Sequence, residues 1–305
     1  MRTFLALLFV FTIFGCTPKV APPNGEKRVI KVVTTVGMIR DAVLNIGGTR
    51  VQVQALMGPG VDPHLYRATA KDLQKLEEAE IIFYGGLELE GRMSEILEKL
   101  STKKKVAAVS EAIPKDKLRM SAQFHGKPDP HVWFDVELWI IAVGVVRDTL
   151  VEADPEKAEF YKTNAEAYIR HLEDLDQKIK SQIPQIPEEK RVLITAHDAF
   201  GYFGARYGLE VIGIQGTSTA SEAGAADIVR IADLIAKRKV KSIFVESSVP
   251  KNTIEALQKA VQSRGWDVKI GGSLYSDAMG NEGTPEGNYI GMVLHNVQTI
   301  VNGLK

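Results

Sequence analysis

This chain predicts an α/β fold of two lobes, each a mostly parallel sheet with flanking helices, joined by one long rigid helix. Three observations carry that reading. Short apolar runs of strand length alternate with helical patterns along most of the sequence, as in parallel sheets covered on both faces. About 280 residues follow the N-terminal stretch, more than one ordinary core accommodates. Between Pro155 and residue 183 the chain has neither Gly nor a further Pro and is rich in Glu, Lys, Ala, Gln and Leu.

The N-terminus reads as an address rather than as part of the fold. Met1-Arg2 is a short basic start, and residues 3–14 are almost all apolar and carry no charge. A dozen residues is too short for a bilayer span, which needs ~20, and matches the apolar stretch of a secretory signal. Residues 1–15 are expected to be that signal. Cys16, the only cysteine of the chain, falls where a bacterial lipoprotein carries its lipidated first residue. Residues 16–28 are Pro-rich and polar, a tether. The expected location is extracytoplasmic, lipid-anchored to the cell membrane or periplasmic.

The first lobe is expected over residues 29–153. Strand patterns at 29–34, 51–56, 81–84 and 106–109 alternate with helical patterns at 38–46, 69–78 and 93–100. Residues 154–183 form the linker helix, with Asp154 as N-cap and Pro155 at the first helical position. Phe160, Tyr161, Ala165, Tyr168, Ile169, Leu172, Leu175 and Ile179 recur at three- and four-residue steps and give it one apolar face. The second lobe, residues 184–305, has strand patterns at 191–195, 210–214, 242–245 and 267–270, with helical patterns at 225–237, 253–264 and 289–301.

Lys plus Arg and Asp plus Glu are 38 each. With no basic stripe, nucleic acid is excluded as a partner. A single cysteine excludes a disulfide within the chain.

Only six histidines occur, yet two share one context: Asp62-Pro63-His64 and Asp129-Pro130-His131. Each proline fixes its own φ and pushes the preceding Asp towards extended backbone. Each histidine is thus presented by a stiffened loop, which suits a metal ligand; taken alone, the tripeptides read equally well as turns with surface histidines. His197 directly follows a strand pattern, and Asp277 lies in the loop after the last strand. Ligands of open α/β sheets gather beyond the carboxyl ends of strands, so these four point to the cleft between lobes. Three imidazoles and one carboxylate suit Zn²⁺, while Mn²⁺ tolerates more oxygen. Asp62, Asp129 or Asp198 could accept imidazole N–H bonds. His125, His171 and His295 read as surface or packing residues, and Trp133, Trp139 and Trp266 as packing.

Gly58-Pro59-Gly60-Val61-Asp62-Pro63-His64-Leu65-Tyr66, Asp129-Pro130-His131-Val132-Trp133-Phe134-Asp135, Thr195-Ala196-His197-Asp198-Ala199-Phe200 and Leu274-Tyr275-Ser276-Asp277-Ala278-Met279-Gly280 resemble motifs of the TroA-type zinc/manganese-binding proteins of bacterial metal ABC transporters. The match runs from about residue 29 to the end and includes Gln215-Gly216-Thr217-Ser218-Thr219-Ala220-Ser221-Glu222 and Val245-Glu246-Ser247-Ser248. The resemblance implies a zinc or manganese ion as transported ligand, held between the lobes by His64, His131, His197 and Asp277. It also implies a cognate ABC permease as partner, a membrane attachment through the N-terminal lipid, a monomer, and no catalytic activity. Some manganese binders of this type carry Glu at the position of His197, which favours zinc here; many zinc scavengers carry a long His-rich loop where residues 121–128 hold only His125. With a stiff linker helix, small lobe tilts are expected rather than wide closure. Imidazoles of ordinary pKa predict that affinity falls below about pH 6. A metallohydrolase is the first rival, but it needs an open coordination position and a base for water. A surface adhesin is the second, without a repeat or stalk to support it.

Overall fold

The computed structural model describes residues 28–121, 126–221 and 223–305. The expected signal, Cys16, the tether up to residue 27 and His125 lie outside the described residues.

The first lobe is built on a four-stranded, all-parallel sheet in the order β2-β1-β3-β4. Its strands are β1 (Ile30–Thr34), β2 (Val51–Ala55), β3 (Ile81–Tyr84) and β4 (Lys105–Ala108). The central strands β1 and β3 are buried almost throughout, as a sheet covered on both faces requires. Helix α1 (Gly37–Gly47) crosses from β1 to β2, α2 (Ala70–Glu78) from β2 to β3, and α3 (Ser94–Ser101) from β3 to β4. Thr69 caps α2 in a reciprocal box: its hydroxyl accepts from the Asp72 amide while the Asp72 carboxylate accepts from the Thr69 amide. Helix α4 (Val136–Ala153), with Asp135 accepting from the Glu137 amide as its N-cap, completes the lobe. The alternation read from sequence has no counterpart for α4.

The linker helix α5 (Ala158–Gln182) is 25 residues long, about 37 Å at 1.5 Å per residue. Short 3-10 turns, Pro155–Lys157 and Ile183–Gln185, extend it at both ends. Asp154 does not cap it as expected. Its carboxylate instead takes Arg50 and Tyr161, at 3.1 and 3.0 Å, and ties the helix start to the first lobe. Of the predicted apolar face, Tyr161, Ala165, Tyr168, Leu172, Leu175 and Ile179 are buried, Ile169 is half-buried, and Phe160 at the N-terminal end is exposed.

The second lobe holds two parallel strand pairs, β5 (Val192–His197) with β6 (Glu210–Gln215), and β7 (Ser242–Glu246) with β8 (Lys269–Leu274). Helices α6 (Gly201–Tyr207), α7 (Ala225–Arg238), α8 (Asn252–Gln262) and α9 (Tyr289–Leu304) surround them. The last strand runs through Gly271 and Gly272, four residues beyond where the sequence pattern ends it. Those glycines are close-approach positions, not breakers: a Cβ on Gly271 would meet the Phe244 ring at 2.7 Å, and one on Gly272, at φ +143, would meet Thr299 at 2.5 Å.

The larger of the two apolar cores is shared between the lobes. One apolar cluster takes in β1, β3, α1, α4, α5, α6 and α9, while a smaller one fills the space between β5, β7, α7 and α8. The linker helix and the C-terminal helix therefore lie inside a core continuous with the first lobe. Tyr168 of α5 donates to Asp41 of α1 at 2.9 Å, and the Tyr289 amide of α9 reaches the same oxygen at 3.2 Å.

Candidate metal centre

The four residues singled out from the sequence meet. One donor atom from each of His64, His131, His197 and Asp277 lies within 4.8 Å of the others, and none of the residues is more than 5% exposed. His64 sits in the loop after β2, where Gly60 turns the chain at φ +72 and Asp62 Oδ1 accepts the His64 amide at 2.8 Å. His131 opens the 3-10 turn Val132–Phe134 that leads to α4. Asp129 Oδ1 accepts both its amide, at 3.0 Å, and its Nδ1, at 2.7 Å. His197 is the last residue of β5, and Glu246, the last of β7, accepts its amide at 2.8 Å and its Nδ1 at 2.6 Å. Asp277 lies in the loop after β8, with Ser248 donating to Oδ2 at 3.5 Å.

These hydrogen bonds fix the imidazoles. With Nδ1 facing a carboxylate, His131 and His197 both turn Nε2 to the shared centre. Of the three aspartates expected to do this, Asp129 does. Asp62 instead holds the backbone of His64, and Asp198 makes no side-chain hydrogen bond among the described residues. The carboxylate that orients His197 is Glu246, whose role was not read from sequence. Its signal was available, since an acid ending the apolar run Ile243-Phe244-Val245 sits at the carboxyl edge of a buried strand. Trp133 is more than packing: it meets His131 edge-on at 5.2 Å and its Nε1 donates to the Ser276 carbonyl, one residue from Asp277. His171 is exposed on α5, and His295 points Nε2 to the Ser273 carbonyl at 3.1 Å; neither approaches the centre.

The spacing is close to that of a coordination shell, with the two oxygens of Asp277 each supplying one short edge. His131 Nε2 lies 3.3 Å from His64 Nε2, from His197 Nε2 and from Asp277 Oδ1, and His197 Nε2 lies 3.3 Å from Asp277 Oδ2. Four donors about 2.05 Å from one ion form a tetrahedron with edges of about 3.3 Å. The His64–Asp277 edge is longer, at 3.9 Å, so His64 is the splayed corner. Asp277 is fully buried, and the polar groups facing its two oxygens at 3.3 Å are the Nε2 atoms of His131 and His197, so in the metal-free protein imidazole protons stand where a cation would. With four protein donors, such a tetrahedron leaves no position for a reactive water, unlike a catalytic zinc site.

Protonation splits the three imidazoles. Burial holds His64 down to about 3, so it is neutral at physiological pH. For His131 burial also opposes charge, but Asp129 and Asp277 prevail and raise it to about 9. His197 is likewise raised well above its usual range, burial being outweighed by Glu246 and Asp277. Asp277 is driven well below the carboxylate range, against its burial, by His197 and His131.

Two α/β lobes with a preorganised, cation-sized cluster buried between them define the class: a two-lobed binding protein. The chain belongs to the family described as zinc-uptake complex component A, periplasmic, whose model matches residues 32–303. It is 46% identical over 302 residues, 98% of each chain, to the manganese-binding lipoprotein MntA of Bacillus subtilis. It is 31% identical over 307 residues, 98% of this chain and 97% of the other, to the metal ABC transporter substrate-binding lipoprotein SsaB of Streptococcus sanguinis. Among solved structures, the periplasmic zinc-binding protein TroA of Treponema pallidum matches with a TM-score of 0.88 at 50% identity, covering 90% of this chain and 99% of that one. The family supplies a binding component of an uptake complex and is not a family of enzymes.

Proposed function

We propose that this protein captures a divalent transition metal ion outside the cytoplasm, zinc ahead of manganese, and hands it to a cognate ABC permease. His64, His131, His197 and Asp277 are the ligands in this reading. The observation that carries it is the convergence of four buried donors, two from each lobe, at the spacing a tetrahedral ion requires. Three nitrogens, one carboxylate and edges of 3.3 Å favour zinc. Relatives named for manganese and for zinc both stand close to this chain, so the donor set decides the preference.

The remaining parts follow from the same reading. Residues 1–15 are removed as a signal, Cys16 carries the lipid, and residues 16–28 tether a monomeric body to the membrane. Residues 29–153 and 184–305 form the lobes around the linker of residues 154–183. No helix among the described residues is long and apolar enough to cross a membrane. The lipid on Cys16 is the attachment in this reading, with one acyl chain giving reversible binding. Because the linker helix lies inside a core continuous with the first lobe, capture proceeds by small tilts and loop movement rather than by wide closure.

The test is elemental analysis of protein purified without chelator, followed by direct competition of Zn²⁺ with Mn²⁺ and a structure of the loaded form. One ion per chain in contact with all four side chains is the expected result. Zero ions bound, or an ion held by other residues, overturns the reading; manganese outcompeting zinc overturns the preference alone.

A further inference from the structure

His64 differs from the other two imidazoles in how it is held. Asp129 and Glu246 grip the imidazoles of His131 and His197 directly, whereas among the described residues no carboxylate touches the His64 Nδ1. It also stands 3.9 Å from Asp277, where His131 and His197 each stand 3.3 Å from it. What fixes His64 is Asp62, and Asp62 is shared between the lobes. Its Oδ1 accepts the His64 amide at 2.8 Å while its Oδ2 accepts the Thr219 hydroxyl of the second lobe at 2.6 Å.

Thr219 belongs to the segment Gln215–Ser221, which leaves β6 beside the metal cluster, since Gln215 is in register with His197. The segment is closed on itself, with Gln215 Nε2 donating to the Ser221 carbonyl at 3.3 Å. Its start is fastened to the second lobe by the Asp198 amide, which donates to the Gly216 carbonyl at 3.3 Å. It is stitched to the first lobe twice, through Thr219 to Asp62 and through the Thr217 hydroxyl to Ser121. Thr217 and Thr219 are both buried, so neither hydrogen bond is readily replaced by water.

We propose that the segment Gln215–Ser221 is a strap between the lobes, and that Thr219 and Asp62 are positioning residues for His64: losing their hydrogen bond frees the splayed corner of the site and speeds metal release. The order of events on delivery follows. A partner that lifts the far end of the strap, around Thr217 and Thr219, detaches His64 first, leaving the ion on His131, His197 and Asp277; the carboxylates that hold the two imidazoles, Asp129 and Glu246, lie outside the strap. This inference rests on the proposed metal-capture reading.

The test measures zinc release into excess chelator by stopped flow, alongside equilibrium affinity and thermal stability. One tightly bound zinc in the unaltered protein comes first; its absence would sink the capture reading and not this one in particular. A hydrogen bond to a charged group supports about a ten-fold effect. Thr219→Val is therefore expected to raise the release rate about ten-fold with the association rate unchanged, and Thr219→Ser to restore it. In an Asp62→Asn background, Thr219→Val should add little. Thr219→Ala takes the place of the valine variant in the same comparison should that one not fold. Release at the unaltered rate, failure of serine to restore, or an equal acceleration in the Asp62→Asn background would each overturn the proposal.

Discussion

Raising the pH should tighten metal binding across the whole neutral range, because the ion exchanges for two protons. In the metal-free protein His131 holds its proton up to about 9 and His197 well above the usual imidazole range, while His64, at about 3, is already neutral. The Nε2 protons of His131 and His197 face separate oxygens of Asp277, each at 3.3 Å. To coordinate through Nε2 both must leave, and the Nδ1 protons stay on the imidazoles, donated to Asp129 and Glu246. Two proton charges are replaced by the two charges of the ion, so the buried charge of the site is the same before and after. That equality lets a dry pocket accept a divalent cation without a net charge entering low dielectric.

With protons bound only to the metal-free state, affinity rises with pH and is lost as pH falls. Two protons give a slope of two, about a hundred-fold in affinity per pH unit, as long as the pH stays below the raised pKa values of both His131 and His197. Unperturbed imidazoles, with pKa near 6.5, would give a flat affinity above about pH 7. The sequence expectation of a loss confined below about pH 6 is thus shifted upward by the carboxylates on His131 and His197. Competition against a chromogenic zinc chelator at pH 7.0, 7.5 and 8.0 separates the two cases. Calorimetry in buffers of different ionisation enthalpy counts the protons directly. A flat affinity over that range, or fewer than about one proton released per ion at pH 7, would refute the exchange. The same linkage makes the metal-free protein lose stability as pH rises from about 6.5 towards 9, where the folded state binds more protons than the unfolded one.

Three further outcomes are expected. Glu246→Gln removes the carboxylate on His197 Nδ1 and should weaken zinc binding about 10- to 100-fold while lowering the proton count towards one; unchanged affinity in the same competition would show that Glu246 does not orient the ligand. Tyr168→Phe takes a donor from buried Asp41 and should cost about 1–3 kcal/mol in urea unfolding; no change would mean the α5–α1 contact contributes nothing to holding the linker helix. Zinc at a thousand-fold excess over its dissociation constant should stabilise the fold by about 4 kcal/mol, reversed by chelator, and a melting temperature indifferent to both would contradict binding to the folded state.

The four clustered residues were legible in the sequence because each lies in a stiffened loop or at a strand end, where chemistry-bearing side chains stand out against apolar runs. The alternation of strands and helices was equally legible, since buried parallel strands such as β3 read as unbroken apolar runs. Helix α4 was not. It is rich in β-branched residues, carries Gly144 near its middle, and packs against both α1 and α5. Burial on two sides removes the single apolar stripe by which a helix is recognised. Glu246 and the strap escaped for a different reason. Their roles depend on which carboxylate faces which imidazole across 49 residues of chain, and on Thr219 meeting Asp62 across 157, pairings that no local pattern encodes.

The shared core has a consequence for how such a site lets go. Tilting one lobe as a rigid body would have to open an apolar cluster that runs from β1 through α5 to α9. Lifting a loop costs only the hydrogen bonds that hold it, a few kcal/mol at most for contacts of this kind. The four proposed ligands are distributed accordingly. His197 ends a buried strand and His131 adjoins the α4 cap, so both move only with the core. His64, in the loop after β2, is held through Asp62 by two hydrogen bonds, one of them from the opposite lobe. Release that began at His131 or His197 would leave Asp129 or Glu246 buried without the imidazole it orients, the costlier path. The cheaper path starts at His64, and a structure of the metal-free form should therefore show the loop between β2 and α2 displaced while β5, β7 and the turn after His131 superpose on the loaded form. Displacement of His197 or His131 with the His64 loop in place would reverse the order.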